Sequence, residues 1–481
     1  MGGNRRAKKA ANSGEKTSRG ADRLVRDPLD GGVRRVPDGR RRRRGREADM
    51  AGSDYDAVII GAGIIGAALG LELSRRGWRT LNVDKLPAAG YGSTSNSCAI
   101  IRTHYSTFDG AALAYEGYFY WKDCAGYLGA DDERGLAVFH DCGALVMKTE
   151  KNGFLAKIIG NMQAPGIPYE ELDPARIRQA YAPFDTHQYG PVCLPDDPSF
   201  GENDGTELAG GVFFPCAGYI SDPQLATHNL QRAAEAADAT FRFNAAVAAI
   251  DKTAGRVSGV TLGSGEAIAT PVVVNVAGPH SYLINRLAGA EADMKIGTRA
   301  LRQEVVHVPA PAGAPYPFVA SDSDIGVYTR PESGDHILPG SEDPECDERE
   351  WVDPDDFDRA LGHQAITQAL RLAQRVPGLG VPTRPRGVVD LYDVTDDWIP
   401  IYDKSCVPGF YMAVGTSGNQ FKNAPVAGAL MAELIAQCEA GHDHDATPLR
   451  FRLARTGLDI DLGFYSRLRE INTESSFSVL G

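Results

Sequence analysis

Little in this chain of 481 residues is arranged to cross a membrane, hold zinc or close a disulfide framework. No apolar run approaches the roughly 20 residues that span a bilayer, which excludes a membrane-spanning helix. Eight cysteines are scattered without a C-x-x-C pair or zinc-finger spacing, so neither a redox dithiol nor any metal centre is expected. No apolar stretch follows the basic start in the manner of a secretory leader, and a cytoplasmic protein with reduced thiols is the expectation. No internal repeat is present, which excludes solenoids and propellers. Positive charge is scarce outside one segment. The net charge is −13, yet the first fifty residues carry 16 basic and 7 acidic side chains, including an unbroken arginine run from 40 to 44. The remaining body is strongly acidic and would repel a phosphate backbone, so no nucleic-acid partner is expected. Residues 1–52 lack hydrophobic periodicity and are expected to form a disordered basic extension, with Met50 the expected natural start.

What is present is an ordinary globular composition, 43% hydrophobic and 23% charged, with a strong signal near the start of the acidic body. Residues 56–60 (Asp-Ala-Val-Ile-Ile) read as a buried parallel strand. The loop Gly61-Ala62-Gly63-Ile64-Ile65-Gly66 follows, and helical spacing continues to Arg76, with Gly77 as a stop. A second strand at 80–83 runs into Asp84. This strand–glycine–helix–strand context turns a weak motif into a strong one. Gly61 permits a tight turn, Gly63 lets the backbone approach a pyrophosphate, and Gly66 permits close packing of helix on strand. The helix N-terminus favours the phosphate charge, and Asp84 can accept from an adenosine ribose. The unit alone does not separate NAD from FAD. The cluster Ser93-Thr94-Ser95-Asn96-Ser97 suits a phosphate-rich cofactor that runs deeper, although such clusters are commonly loops.

Further along, 111–128 reads as an aromatic-rich helix and 138–147 as a strand pair turning at Asp141-Cys142-Gly143. Asp222 and Pro223 open a helix through Ala237. Strands are expected at 240–243, 257–262 and 272–276, the last entering the sharp turn Ala277-Gly278-Pro279. A helix is expected over 353–375, then a strand at 409–414, a glycine turn, and a helix from about Ala424 to Cys438. Strand–glycine–helix units at both ends enclose β-rich segments. That pattern predicts an α/β protein, α+β overall, in which a Rossmann-like dinucleotide domain built from separated pieces carries an inserted domain.

At Ile100-Ile101-Arg102-Thr103-His104-Tyr105 the sequence resembles the D-amino-acid oxidase-like flavoproteins, most closely the sarcosine oxidase branch and its heterotetrameric β subunit. Three later stretches fit the same family in order. They are Gly218-Tyr219-Ile220-Ser221-Asp222-Pro223, Arg386-Gly387-Val388-Val389-Asp390-Leu391-Tyr392-Asp393, and Gly418-Asn419-Gln420-Phe421-Lys422-Asn423-Ala424-Pro425. The resemblance implies FAD and oxidation of a C–N bond in an amine or amino acid by hydride transfer to flavin N5. It implies an FAD domain over 53–135, 216–282 and 384–445. A substrate domain on a mainly antiparallel sheet would cover 136–215 and 283–383, with a tail over 446–481. It also implies that Gly61, Gly63, Ile64, Ile65, Gly66, Asp84 and Lys85 hold adenosine and pyrophosphate. Thr94, Ser95, Ile101 and Arg102 would line the flavin side. Val247 matches an adenine contact, Ala277 and Gly278 a second pyrophosphate turn, and Gly415, Gly418, Asn419, Gln420, Phe421 and Lys422 the loop passing the isoalloxazine. Arg102 and Lys422 together suit a substrate carboxylate, a bidentate fork beside a point charge. Tyr392 matches a tyrosine near flavin and substrate, and His104 and Tyr105 are weaker candidates there.

The chain departs from the pattern at three places. The cysteine through which monomeric sarcosine oxidases bind flavin covalently is Asp390 here, and the histidine used by dimethylglycine dehydrogenase-like members is approximately Asn96, so FAD is expected to be non-covalent. The oxygen-activating lysine falls at or near Leu338, with His336 the nearest substitute. A cation at that position would stabilise developing superoxide. Its absence raises the prospect of a dehydrogenase that passes electrons to a carrier protein or partner subunits. A D-amino-acid or 2-hydroxy-acid substrate, or a flavin subunit of a larger complex, are the competing readings.

Overall fold

The computed structural model describes residues 53–480, and the basic extension expected over 1–52 lies outside the described residues. A six-stranded sheet runs in the order Ile401–Lys404, Phe410–Val414, Val273–Asn275, Ala57–Ile60, Thr80–Val83, Thr240–Arg242. All neighbours are parallel except the first two strands. Ala57–Ile60 is central, with Val58 between Leu81 and Val273. Its side chains alternate between two cores, as a period of two requires. Ala57 and Ile59 pack with the helices Ile64–Arg75, Pro223–Ala236 and Ala424–Glu439. Val58 and Ile60 pack beneath a small antiparallel sheet of Val247–Thr253, Arg256–Leu262 and Ala267–Ala269. Covering both faces is why this strand reads as an unbroken apolar run.

The second sheet has eight strands, ordered Arg386–Thr395, Thr298–Pro309, His336–Ser341, Val327–Glu332, Val319–Asp322, Ala144–Met147, Gly211–Phe214, Glu170–Leu172. Its pairs are antiparallel except Val319–Asp322 with Ala144–Met147. The helix His363–Arg375 covers one face through Ala365, Ala369 and Leu372. A parallel cofactor sheet with a mainly antiparallel second sheet is the architecture expected.

Several local expectations differ from the structure. Residues 138–147 do not form a hairpin. Phe139–His140 pairs with Gly218–Ile220, whereas Ala144–Met147 joins the eight-stranded sheet. The helix expected from 353 begins only at His363, because its first amides are capped from another element. Glu304 accepts from Gly362 N at 2.9 Å and from Ala365 N at 2.8 Å. Arg386–Thr395, expected in the cofactor domain from residue 384, pairs along its whole length with Thr298–Pro309 in the second sheet. The helix at Pro223 starts as expected, with the Asp222 carboxylate accepting from Leu225 N at 2.8 Å. No helix among the described residues is long and apolar enough to cross a membrane.

Candidate functional site

A cavity of about 840 Å³ starts at the carboxyl ends of the parallel strands and extends to the cavity-facing side of the eight-stranded sheet. That size is at the upper end of ordinary ligand sites. Its first part is backbone. Gly61 has φ +121°, and a Cβ there would lie 2.3 Å from Val276 O. A Cβ on Gly66 would meet Gly61 O at 2.3 Å, so the loop and helix close only with glycine at both positions. Gly63 is the N-cap of Ile64–Arg75 and supplies no capping side chain. Ile64 N reaches Thr94 Oγ1 at 3.3 Å. Asp84 braces the loop from the neighbouring strand, its carboxylate accepting from Ala62 N at 2.8 Å and Leu86 N at 2.9 Å. Burial pushes the Asp84 carboxyl up, and these two amides pull it back. Lys85 pairs with Asp355 and lies 2.8 Å from His280 Nε2 at the rim.

The far part is built from side chains. Lys422, 1% exposed, donates to Asn419 O. Its Nζ lies 4.9 Å from the Tyr105 ring centre, and the Arg102 guanidinium lies 4.2 Å from the same ring. Burial pushes both cations down, and Arg102 lowers Lys422 further. Arg102 is held by three backbone carbonyls, with Nη1 donating to His104 O at 2.5 Å and Nη2 to Val479 O at 2.9 Å and Leu480 O at 2.6 Å. Tyr392 donates to or accepts from Tyr328 at 3.1 Å between hydroxyls. Asp393, pushed up to about 7 by burial, accepts from Gly415 N at 2.6 Å and Ser281 Oγ at 2.9 Å.

Most of the expected site residues meet in this one cavity. Gly61, Gly63, Ile64, Ile65, Gly66, Asp84, Lys85, Thr94 and Arg102 border it, as do Val247, Ala277, Gly278, Tyr392 and the run Gly418 to Lys422. Three do not. Ser95 closes a turn onto Gly92 O at 3.0 Å, Ile101 is buried in a pairing with Gly218, and Gly415 is turned onto Asp393. His336, the possible replacement for the missing lysine, is partly exposed on Gly334 O and lies off the cavity wall. Leu338 stands opposite Arg330 in the sheet, and neither borders the cavity. Sequence reasoning missed Cys98, Gln303, Tyr328, the 354–359 loop, and Val479 with Leu480. None of these carries a local motif, since each enters by pairing or packing from a distance.

The positions of the two departures from the covalent pattern face one another. Asp390 accepts from Asn96 Nδ2 at 2.6 Å and from Ser93 Oγ at 3.0 Å. The cavity-lining thiol of Cys98 is pushed up by burial, so little of the nucleophilic thiolate is available. A glycine cradle that excludes side chains at one end, the start of a helix whose N-cap Gly63 supplies no side chain beside it, and a long continuous cavity fit FAD.

A family model described as "FAD dependent oxidoreductase" matches residues 56–434. N-methyl-L-tryptophan oxidase of Yersinia pestis (strain Pestoides F) is 28% identical over 223 residues, 46% of this chain and 53% of the relative, so the chain spans about half the length of the curated relatives it matches. The fold is similar to that of L-proline dehydrogenase from P. horikoshii, with a TM-score of 0.69 and 20% identity over 87% of this chain and 98% of that one. It is also similar to glycine oxidase from Geobacillus kaustophilus, with a TM-score of 0.64 and 21% identity over 82% and 97%.

Proposed function

The chain belongs to the FAD-dependent oxidoreductase family, and from that premise we propose that it oxidises the C–N bond of a small amino acid or sarcosine-like N-methylated amino acid. FAD, held without a covalent link by the glycine loop and the Gly418–Lys422 run, would supply the two-electron acceptor for the carbon beside nitrogen, and water would hydrolyse the imine so formed. The observation that carries this reading is the pair of buried cations, Arg102 and Lys422, neither of which forms a salt bridge among the described residues. Two buried cations without an ion-paired carboxylate are costly, with only the more distant charge of Glu342 acting on Arg102, and a substrate carboxylate relieves both. The carboxylate oxygens take the Arg102 donors now held by Val479 and Leu480. Fixing the carboxylate at one end presents the C–H bond to the flavin, so these residues act by positioning.

The Asn96–Asp390 hydrogen bond supports non-covalent binding, because neither residue offers a thiol or imidazole. Acid precipitation is expected to leave a colourless pellet and a yellow supernatant. Leucine at 338, with His336 turned outward, supports an electron acceptor other than oxygen, such as a carrier protein or partner subunit.

The test is anaerobic bleaching of the flavin by sarcosine, glycine, L-proline, N-methyl-L-tryptophan, D-alanine and glycolate, followed by air. Rapid bleaching by one of the first four with slow reoxidation is expected. Bleaching by D-alanine or glycolate alone would redirect the substrate class. Arg102→Ala that bleaches as fast as the wild type would overturn the carboxylate assignment.

A further inference from the structure

His104 follows the short strand Ile100–Ile101, is 3% exposed and borders the cavity. Its ring stacks on Phe214 of the eight-stranded sheet, centroids 4.7 Å apart at 28°. The stack fixes the ring plane, yet neither Nδ1 nor Nε2 has a hydrogen-bond partner. Leaving a buried polar atom unsatisfied is costly, so such atoms in a cavity wall point to a ligand. Among the described residues bordering the cavity, only one other side chain has a buried orphan, the Asn419 Nδ2. That atom is a donor. His104 is therefore the one unpartnered buried acceptor in this wall.

The charges around it decide what it accepts. Burial first, and then the charges of Arg102 and Lys422, hold the basicity of His104 well below the usual range. The imidazole stays uncharged, with one lone pair to offer and one N–H to give. A carboxylate is already suited to the two cations and to the Asn419 donor. The group on such a substrate that still needs an acceptor is its nitrogen.

We infer that His104 holds the substrate nitrogen, its uncharged imidazole accepting a hydrogen bond from the N–H of an amino acid whose carboxylate lies on Arg102 and Lys422. The inference rests on the function proposed above and adds the residue that recognises the amine. It makes His104 a specificity residue: a ligand with the same carboxylate but CH₂ in place of N–H leaves the imidazole unsatisfied.

The experiment uses FAD-loaded enzyme and two matched pairs, sarcosine with butanoate and L-proline with cyclopentanecarboxylate. Amine affinity is read from half-saturation of anaerobic bleaching, and analogue affinity from perturbation of the flavin spectrum. His104→Phe keeps the stack on Phe214 and removes both nitrogens. It is expected to weaken the amine of the productive pair about tenfold. The analogue is expected to bind as in the wild type, so the wild-type preference for N–H over CH₂ collapses. His104→Asn, which returns an acceptor, is expected to recover part of that preference. Equal weakening of amine and analogue, or an unchanged preference in His104→Phe, would overturn the inference while leaving the carboxylate site intact. Failure of every amine and analogue to bind the wild type would overturn the proposed function, and this inference with it.

Discussion

The two ends of the cavity are built on different principles. At the dinucleotide end, one continuous stretch from Ala57 to Leu86 supplies the strand, turn, helix start and bracing carboxylate. Its contacts are backbone amides and close approaches that exclude a Cβ. At the substrate end, Arg102 with His104, Tyr328, Tyr392, Lys422 and Val479 come from five separate places in the chain. Their contacts are side chains, several buried with charge or orphaned atoms. A backbone cradle suits a cofactor whose pyrophosphate never changes. A side-chain wall can be rebuilt residue by residue, so this is the end where substrates diverge within one architecture.

That contrast breaks most visibly at Gly61. Gly61→Val places a side chain on Val276 O and is expected to give folded but colourless protein, checked by the ratio of visible to ultraviolet absorbance with circular dichroism as the folding control. Lys422→Met should do the opposite, keeping yellow FAD while slowing bleaching by amino acids about 100-fold or more, since a buried charge contact to substrate is lost.

A smaller effect sharpens the electrostatic side. Lys422 is held down by burial and Arg102, so its ammonium is lost at lower pH than an ordinary lysine's. A bound carboxylate favours the ammonium, so binding takes up a proton and weakens as pH rises through the free-enzyme value. The expected slope for butanoate is at most about tenfold per pH unit, read by flavin perturbation, and Lys422→Met should flatten it. The smallest effect concerns the tail. Removing residues 478–481 frees the Arg102 donors from Val479 and Leu480, and butanoate is expected to bind about fivefold tighter. Weaker binding would mean that the tail completes the carboxylate site.

The legible part of the site was the part the chain builds locally. The glycine loop and Asp84, read from their spacing, and the Gly418–Lys422 run, implied by the resemblance, all border the cavity, because each lies beside its own strand and helix. Ser95, Ile101 and Gly415, which the resemblance implies for the site, stand next to lining residues without bordering the cavity themselves. In a strand or tight turn, however, the next residue faces elsewhere, into a turn contact, a buried pairing or Asp393. The late start of the helix at His363 was equally hidden, since its cap comes from Glu304 some sixty residues away.

The sequence by itself determined the cofactor class and the two-sheet architecture. A dinucleotide site and an interrupted cofactor domain follow from short-range rules, the glycines a phosphate turn needs and the period of buried strands, while FAD and the antiparallel second sheet follow from the resemblance carried by four ordered motifs. Only the tertiary structure decided which cations lose water, which histidine nitrogens stay unpaired and that the tail reaches Arg102 from 377 residues away. Those properties depend on burial and on contacts between distant segments, and no local pattern of residues encodes either.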